Sequence, residues 1–359
     1  MNLSVGIVGL PNAGKSTLFN ALLAKQIANV ASYPFCTIEP NVGIVEVPDE
    51  RLAVLAEIVK TEKILPAIVK FVDIAGLVAG ASQGEGLGNQ FLANIRECQA
   101  IVHVLRAFAD EQVIREEKVN PQKDLEIIQT ELCLADLQTL SKQKEPNPNR
   151  FTPEEKKKWE VIKKIKEGLD KGIGVLELNL TDEEQKLSKD LFLLTAKPAF
   201  FILNISESEI NSSEEELRKK YELSSGINFI PICAKIEMEL GTLNEEERKA
   251  YLKELGLAKS GLERLIQEAY RFLGLQTFLT AGEKEVRAWT IVKGDKAPAA
   301  AGVIHTDFEH GFIKAKVVSF EDFVQSKGWK GAAEAGKVRI EGKDYVMQEG
   351  DVVEFMFNL

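Results

Sequence analysis

The sequence has no run of 18 apolar residues and no charged-then-apolar leader, so it offers nothing to span a membrane helically and predicts a soluble, cytoplasmic protein. It is also poor in metal-type and disulfide-type side chains. Its four cysteines, Cys36, Cys98, Cys133 and Cys233, are scattered without C-x-x-C spacing, and there are only three histidines. That pattern argues against a zinc site and against a disulfide framework, and suits a reducing compartment. An excess of positive charge is missing as well: 45 Lys and Arg stand against 55 Asp and Glu, a net charge of −10. A protein that coats nucleic acid needs basic surface to neutralise phosphates, so any such contact here has to be local. The 359 residues are enough for two to three domains of roughly 150 each.

What is present begins at Gly9-Leu10-Pro11-Asn12-Ala13-Gly14-Lys15-Ser16, a G-x-x-x-x-G-K-S match that follows an apolar strand at residues 3–8 and opens a helix. That context turns the pattern into a phosphate-binding loop. Its glycines let backbone N–H groups turn toward phosphates, Lys15 reaches the β and γ oxygens, and the Ser16 hydroxyl suits Mg²⁺. The expected phosphate cradle is Asn12, Ala13, Gly14, Lys15, Ser16 and Thr17. Thr37 is the expected first-switch hydroxyl on Mg²⁺. Asp73-Ile74-Ala75-Gly76 ends a second apolar strand, with Asp73 toward the metal shell and the Gly76 N–H toward the γ-phosphate.

Two further absences sit inside this framework. Where a guanine reader carries Asn-Lys-x-Asp, the chain has Asn204-Ile205-Ser206-Glu207. Glu207 carries the carboxylate one methylene too far, and Ile205 has no long cationic stem to cover the base. Adenine has no use for that Asp, so ATP is expected to be preferred and GTP to bind more weakly. Lys at 205 with Asp at 207 would be expected to raise GTP affinity. Asn204 ends the apolar strand of residues 199–203, giving Asn204, Ile205 and Glu207 as expected base contacts, and Cys233-Ala234-Lys235 ends the next strand. The second absence follows Gly76, where Leu77 occupies the position of the Gln that orients water in Ras-like enzymes. Gln83, Glu85, Asn89 and Arg115 are candidates to replace it, with none preferred, so the catalytic group stays unassigned beyond phosphate stabilisation by Lys15. His103 interrupts a strand at residues 100–105 and reads as packed.

These blocks, together with Tyr33 to Asn41, Val286-Arg287-Ala288-Trp289-Thr290 and residues 302–311, resemble the YchF/Obg-like ATPase family over essentially the whole chain. The resemblance implies a cytosolic translation-factor-class P-loop ATPase that prefers ATP, lacks the usual catalytic Gln, and binds the ribosome, the large subunit being expected. It also implies that the loop Cys233-Ala234-Lys235 backs the base, with Cys233 and Ala234 as base contacts. Asn12 is similar to the Asn of potassium-activated GTPases, which implies K⁺ beside the phosphates; equally, it suits a turn after Pro11. Bacterial relatives place a His in the loop after the His103 strand, where this chain presents Arg115, so a catalytic role for that His does not carry over.

The expected fold class is α/β: a doubly wound sheet of the P-loop NTPase type with an inserted helical arm and a C-terminal β-grasp domain of the TGS type. Residues 1–125 and 196–275 form the expected nucleotide-binding domain, 126–195 an antiparallel arm and 276–359 the β-grasp domain. In the arm, Thr152-Pro153-Glu154-Glu155 and Thr181 to Glu184 read as capping boxes. Phe320 to Lys327 is the expected β-grasp helix, while residues 297–301 read either as helix or loop. Arm lysines, among them Lys142, Lys144, Lys156, Lys157, Lys158, Lys163, Lys164, Lys166 and Lys171 with Arg150, make either a solvated face or a ribosomal RNA contact. A monomeric ribosome-associated ATPase is the expected function. The alternatives are a GTPase of relaxed base choice and a nucleotide-sensing ribosome or RNA-binding module with incidental hydrolysis.

Overall fold

The computed structural model describes residues 4–26, 41–74, 87–109, 119–145 and 152–358. Cys36, Thr37, Gly76, Leu77, Gln83, Glu85, Arg115 and Arg150 lie outside them, and Asn89 lies in a helical turn whose side chains are not described. In chain order the elements are β1 (Ser4–Val8), α1 (Lys15–Gln26), β2 (Val42–Glu46), α2 (Arg51–Val59), β3 (Ile64–Leu65), β4 (Ile68–Asp73), α3 (Leu87–Glu97) and β5 (Ala100–Ala107). Then follow α4 (Pro121–Ser141), α5 (Pro153–Asp170), α6 (Asp182–Ser188), β6 (Ala199–Ile205), α7 (Glu214–Lys220), β7 (Phe229–Ile232), α8 (Ala234–Thr242), α9 (Glu245–Glu254) and α10 (Gly261–Phe272). The remainder is β8 (Leu275–Ala281), β9 (Val286–Val292), α11 (Ala297–Ile304), α12 (Thr306–His310), β10 (Phe312–Val318), α13 (Phe320–Gln325), α14 (Trp329–Glu334), β11 (Arg339–Glu341) and β12 (Val352–Phe357). Two compact units result: the described residues of 1–28, 37–43 and 70–264, and those of 44–69 and 265–359.

The first unit is built on a sheet of order β2-β4-β1-β5-β6-β7. The pairs β1–β4, β1–β5, β5–β6 and β6–β7 are parallel. All eight residues of β5 are buried, which is why the strand reads as an apolar run broken only by His103 and Arg106. Register places Arg106 beside Asn204 and Ala107 beside Ile205, so the C-terminal ends of β5 and β6 present their residues together. That is the edge at which sheets of this type bind ligands.

Helix α4 begins at Pro121, because Asn120 caps it and proline suits the first turn. The two capping boxes, Thr152 with Glu155 and Thr181 with Glu184, start α5 and α6. Cys133 and Leu140 of α4 share one apolar cluster with Ile162, Ile165 and Leu169 of α5. The basic face, however, is less basic than the sequence suggests. Lys157 pairs with Glu183 at 2.7 Å, Lys164 with Glu184 at 2.9 Å, Lys163 with Glu145 at 3.8 Å, and Lys158 with Asp190. Exposed pairs of this kind add little stability, but together they leave fewer uncompensated cations on the arm. Lys142, Lys144, Lys156 and Lys171 have no acidic partner among the described residues.

In the second unit the sheet runs β11-β10-β12-β8-β9-β3, with β12 and β8 parallel at its centre and antiparallel pairs β10–β12 and β8–β9 on either side. The helix lying in its apolar cluster is α11: Ala297, Ala300 and Ala301 are fully buried with Phe278, Ile291 and Val317. The small-residue run at residues 297–301 is therefore helix, with Pro298 tolerated in its first turn. The expected helix at Phe320 is the short α13, which buries Phe323 edge-on to Trp329 instead of joining that cluster. Residues 44–69, read from the sequence as part of the first domain, group with the second unit, because β3 pairs in parallel with β9. A two-residue strand carries no alternation to read.

Candidate functional site

The turn between β1 and α1 has a conformation that its sequence requires. A Cβ on Gly9 would stand 2.6 Å from the Val104 carbonyl oxygen, so only glycine allows the loop to lie against β5. Gly14 has φ +88°, and a Cβ there would meet Asn204 Nδ2 at 2.1 Å. Asn12 also adopts the left-handed region, φ 62°, which an asparagine tolerates better than most residues. Lys15 follows as the first residue of α1, buried, with Nζ donating to the Leu10 carbonyl at 3.1 Å. Burial lowers its pKa, opposed by the charge of Asp73. Asp73, at the end of β4, has its own pKa raised by burial, opposed by Lys15, and its Oδ1 has no partner among the described residues. An orphaned carboxylate oxygen and the exposed Ser16 hydroxyl at the start of α1 are hard oxygen donors of the kind Mg²⁺ selects. Both residues fit that ion; Thr37, expected as its third protein contact, lies outside the described residues.

At the C-terminal end of β6, Asn204 is buried and both ends of its amide are engaged. Nδ2 donates to the Ala13 carbonyl at 2.9 Å, and Oδ1 accepts from the Ala234 N–H at 3.1 Å. One side chain thus holds the phosphate loop, the end of β6 and the start of α8 together. Glu207 reaches sideways to Lys235, with Nζ and Oε1 2.5 Å apart and both groups largely exposed. Its carboxylate is thereby directed at a cation on the opposite rim. Ile205 corrects one expectation: only 3% exposed, it belongs to an apolar cluster with Leu217, Leu223 and Leu240. A lysine at 205 would bury an amine among those side chains, so the exchange is not a clean way to restore guanine binding. Cys233 is buried and its thiol is pushed up by burial, which leaves it unreactive.

A cavity of about 760 Å³ joins these parts. Asn12, Gly14 and Thr17 of the β1–α1 turn line one end, and Asn204 to Ser208 and Cys233 to Lys235 the other. Phe108 and Ala109 form a wall that no motif announced. The signal lay in position, since Phe108 directly follows a buried strand at its C-terminal end. The Arg106 guanidinium lies over the Phe108 ring, 5.0 Å from its centroid, and Arg106 Nε donates to the Phe108 carbonyl at 3.1 Å. His103 is fully packed: it stacks on Phe201 with centroids 5.2 Å apart, and burial pushes its pKa down to about 4. It is a neutral core imidazole.

Comparisons with known proteins match both parts of the chain. Residues 4–142 fit the MMR_HSR1 family, described as a 50S ribosome-binding GTPase. Residues 275–358 fit the YchF-GTPase_C family, described as a protein of unknown function. The ribosome-binding ATPase YchF of Bacillus subtilis is 50% identical over the whole of both chains, and that of Escherichia coli O157:H7 is 49% identical, again over the whole of both. Among solved structures, the Schizosaccharomyces pombe YchF GTPase superposes with a TM-score of 0.88 at 38% identity, covering 99% of this chain and 98% of the other. The bacterial relatives are named ATPases and the yeast structure a GTPase, so these names alone leave the base to be argued from the site.

Proposed function

The chain belongs to the YchF family of P-loop nucleoside triphosphatases, and on that premise we propose that it binds and hydrolyses ATP in preference to GTP, with Mg²⁺, and acts on the ribosome. The observation that carries the base choice is the Glu207–Lys235 pair. A guanine reader needs a short carboxylate free to accept from N1–H and the exocyclic amine. Here the carboxylate is longer and already faces an ammonium, while Phe108 offers apolar cover to any purine. Adenine makes no demand on that carboxylate and loses nothing to its pairing. At the phosphate end, the Lys15 ammonium offsets charge on the β and γ oxygens, and Ser16 and Asp73 would hold the metal. Bound Mg²⁺ supplies further neutralisation of the phosphate oxygens. Ribosome binding rests on full-length relatives that are named ribosome-binding ATPases and on the match of residues 4–142 to the 50S ribosome-binding GTPase family. Of the described arm lysines named above, Lys142, Lys144, Lys156, Lys166 and Lys171 are left to serve it.

Isothermal calorimetry with Mg²⁺ and non-hydrolysable analogues tests the base choice. ATP-type analogues should bind at least about tenfold more tightly than GTP-type ones, a difference of about 1.4 kcal/mol. Glu207→Asp combined with Lys235→Ala, which shortens and releases the carboxylate, should narrow that ratio severalfold. Equal affinities in the unaltered protein would refute the preference. Co-sedimentation with large ribosomal subunits in the ATP-type state tests the second half; failure to pellet at low salt would remove it.

A further inference from the structure

We propose that Glu209 and Tyr221 brace the two walls of the base slot against each other and so act as positioning residues for the base. One wall is the loop of Ile205 to Ser208 and the other is the Phe108 turn after β5. Glu209, 8% exposed, lies just beyond the four-residue motif and gathers four donors. Ser206 Oγ donates to its Oε2 at 2.6 Å and the Ser206 N–H at 3.3 Å, which locks the short 3₁₀ turn that carries Glu207. Lys220 Nζ and the Tyr221 hydroxyl reach Oε1 at 2.6 and 2.8 Å. The same Tyr221 hydroxyl also contacts the Ala107 carbonyl oxygen, so its one hydrogen is shared between the carboxylate and the last residue of β5. With the Phe108 carbonyl held by Arg106 Nε, the two carbonyls on either side of the Phe108 Cα are both fixed by side chains.

The consequence is a slot of set width. Left to the sheet alone, the Phe108 turn and the 206–209 turn are separate loop segments following β5 and β6. The phenol ties them, and it stays protonated because burial and the neighbouring Glu209 raise its pKa to about 12. A purine placed between Phe108 and the turn of Ser206 to Ser208 therefore meets walls whose separation is already fixed, which saves the entropy of ordering them. This inference rests on the reading that the cavity takes the base.

Calorimetry on Tyr221→Phe and Glu209→Gln, with a non-hydrolysable ATP analogue and with inorganic tripolyphosphate, tests it. Tyr221→Phe should weaken the nucleotide about 5- to 10-fold and leave tripolyphosphate within twofold, which also reports an intact phosphate loop. Glu209→Gln, which can still accept from Ser206, should fall between Tyr221→Phe and the unaltered protein. In a Phe108→Ala background, Tyr221→Phe should add nothing, because the wall it positions is gone. Equal weakening of nucleotide and tripolyphosphate, or full additivity with Phe108→Ala, would show a general structural role and overturn the brace. A different pattern overturns the cavity reading itself: Phe108→Ala without effect on the nucleotide, or a nucleotide bound no more tightly than tripolyphosphate.

Discussion

Replacing Lys15 with Met is expected to cut ATP hydrolysis by a factor on the order of 10² to 10³, equivalent to about 3–4 kcal/mol of transition-state stabilisation. Met keeps most of the unbranched stem, so the packing along the loop survives while the ammonium is lost. That ammonium is buried beside Asp73 and, among the described residues, has only the Leu10 carbonyl as a hydrogen-bond acceptor. It is therefore poorly solvated before nucleotide arrives, and the phosphates replace a weak arrangement with a strong one. Steady-state phosphate release at saturating nucleotide measures the effect, and a rate within threefold of the unaltered protein would remove Lys15 from the chemistry. A second readout separates charge from shape. Burial lowers the Lys15 pKa, so the unfolded chain holds that proton more tightly than the folded one; stability then rises with pH as the solution approaches the ordinary lysine value from below. In the Met variant that alkaline rise should flatten, as followed by urea unfolding between neutral and alkaline pH.

Legibility in the sequence followed the range of the interactions involved. The phosphate loop, the apolar strands ending at Asp73 and Asn204, and the boxes Thr152–Glu155 and Thr181–Glu184 are all set within a few residues, and each stands where its local pattern placed it. Contacts made across the chain were not readable. Phe108 becomes a wall because β5 and β6 share a register, and Glu207 meets Lys235 only because β7 follows β6 in the sheet. Lys157, Lys158 and Lys164 looked free because their partners on and after α6 lie 20 to 32 residues further on. Ile205 shows the same limit in reverse. Beside the base motif it reads as a missing lysine, yet its side chain is a core residue, and the exchange that a motif suggests would strike the fold.

Asn204→Ala is expected to lower unfolding stability by about 2–4 kcal/mol and to weaken every phosphate ligand, ATP, GTP and tripolyphosphate alike, by a factor on the order of 10². The reason is what the amide touches. It satisfies the Ala13 carbonyl and the Ala234 N–H, so truncation leaves two buried backbone groups without partners, each costing about 1–3 kcal/mol. It also frees the loop at Ala13, next to the Gly14 position where backbone and amide already stand in close contact. A residue whose main role was to read the base would behave otherwise: its loss would change the ATP to GTP ratio and spare tripolyphosphate and stability. Asn204→Asp sharpens the comparison, because it retains an acceptor for the Ala234 N–H and turns an oxygen toward the Ala13 carbonyl. If the clamp is the role, Asp should resemble Ala in phosphate affinity while recovering part of the stability. Denaturant unfolding and calorimetry with the three ligands decide between the two, and a changed base ratio with unchanged tripolyphosphate affinity would return Asn204 to the base.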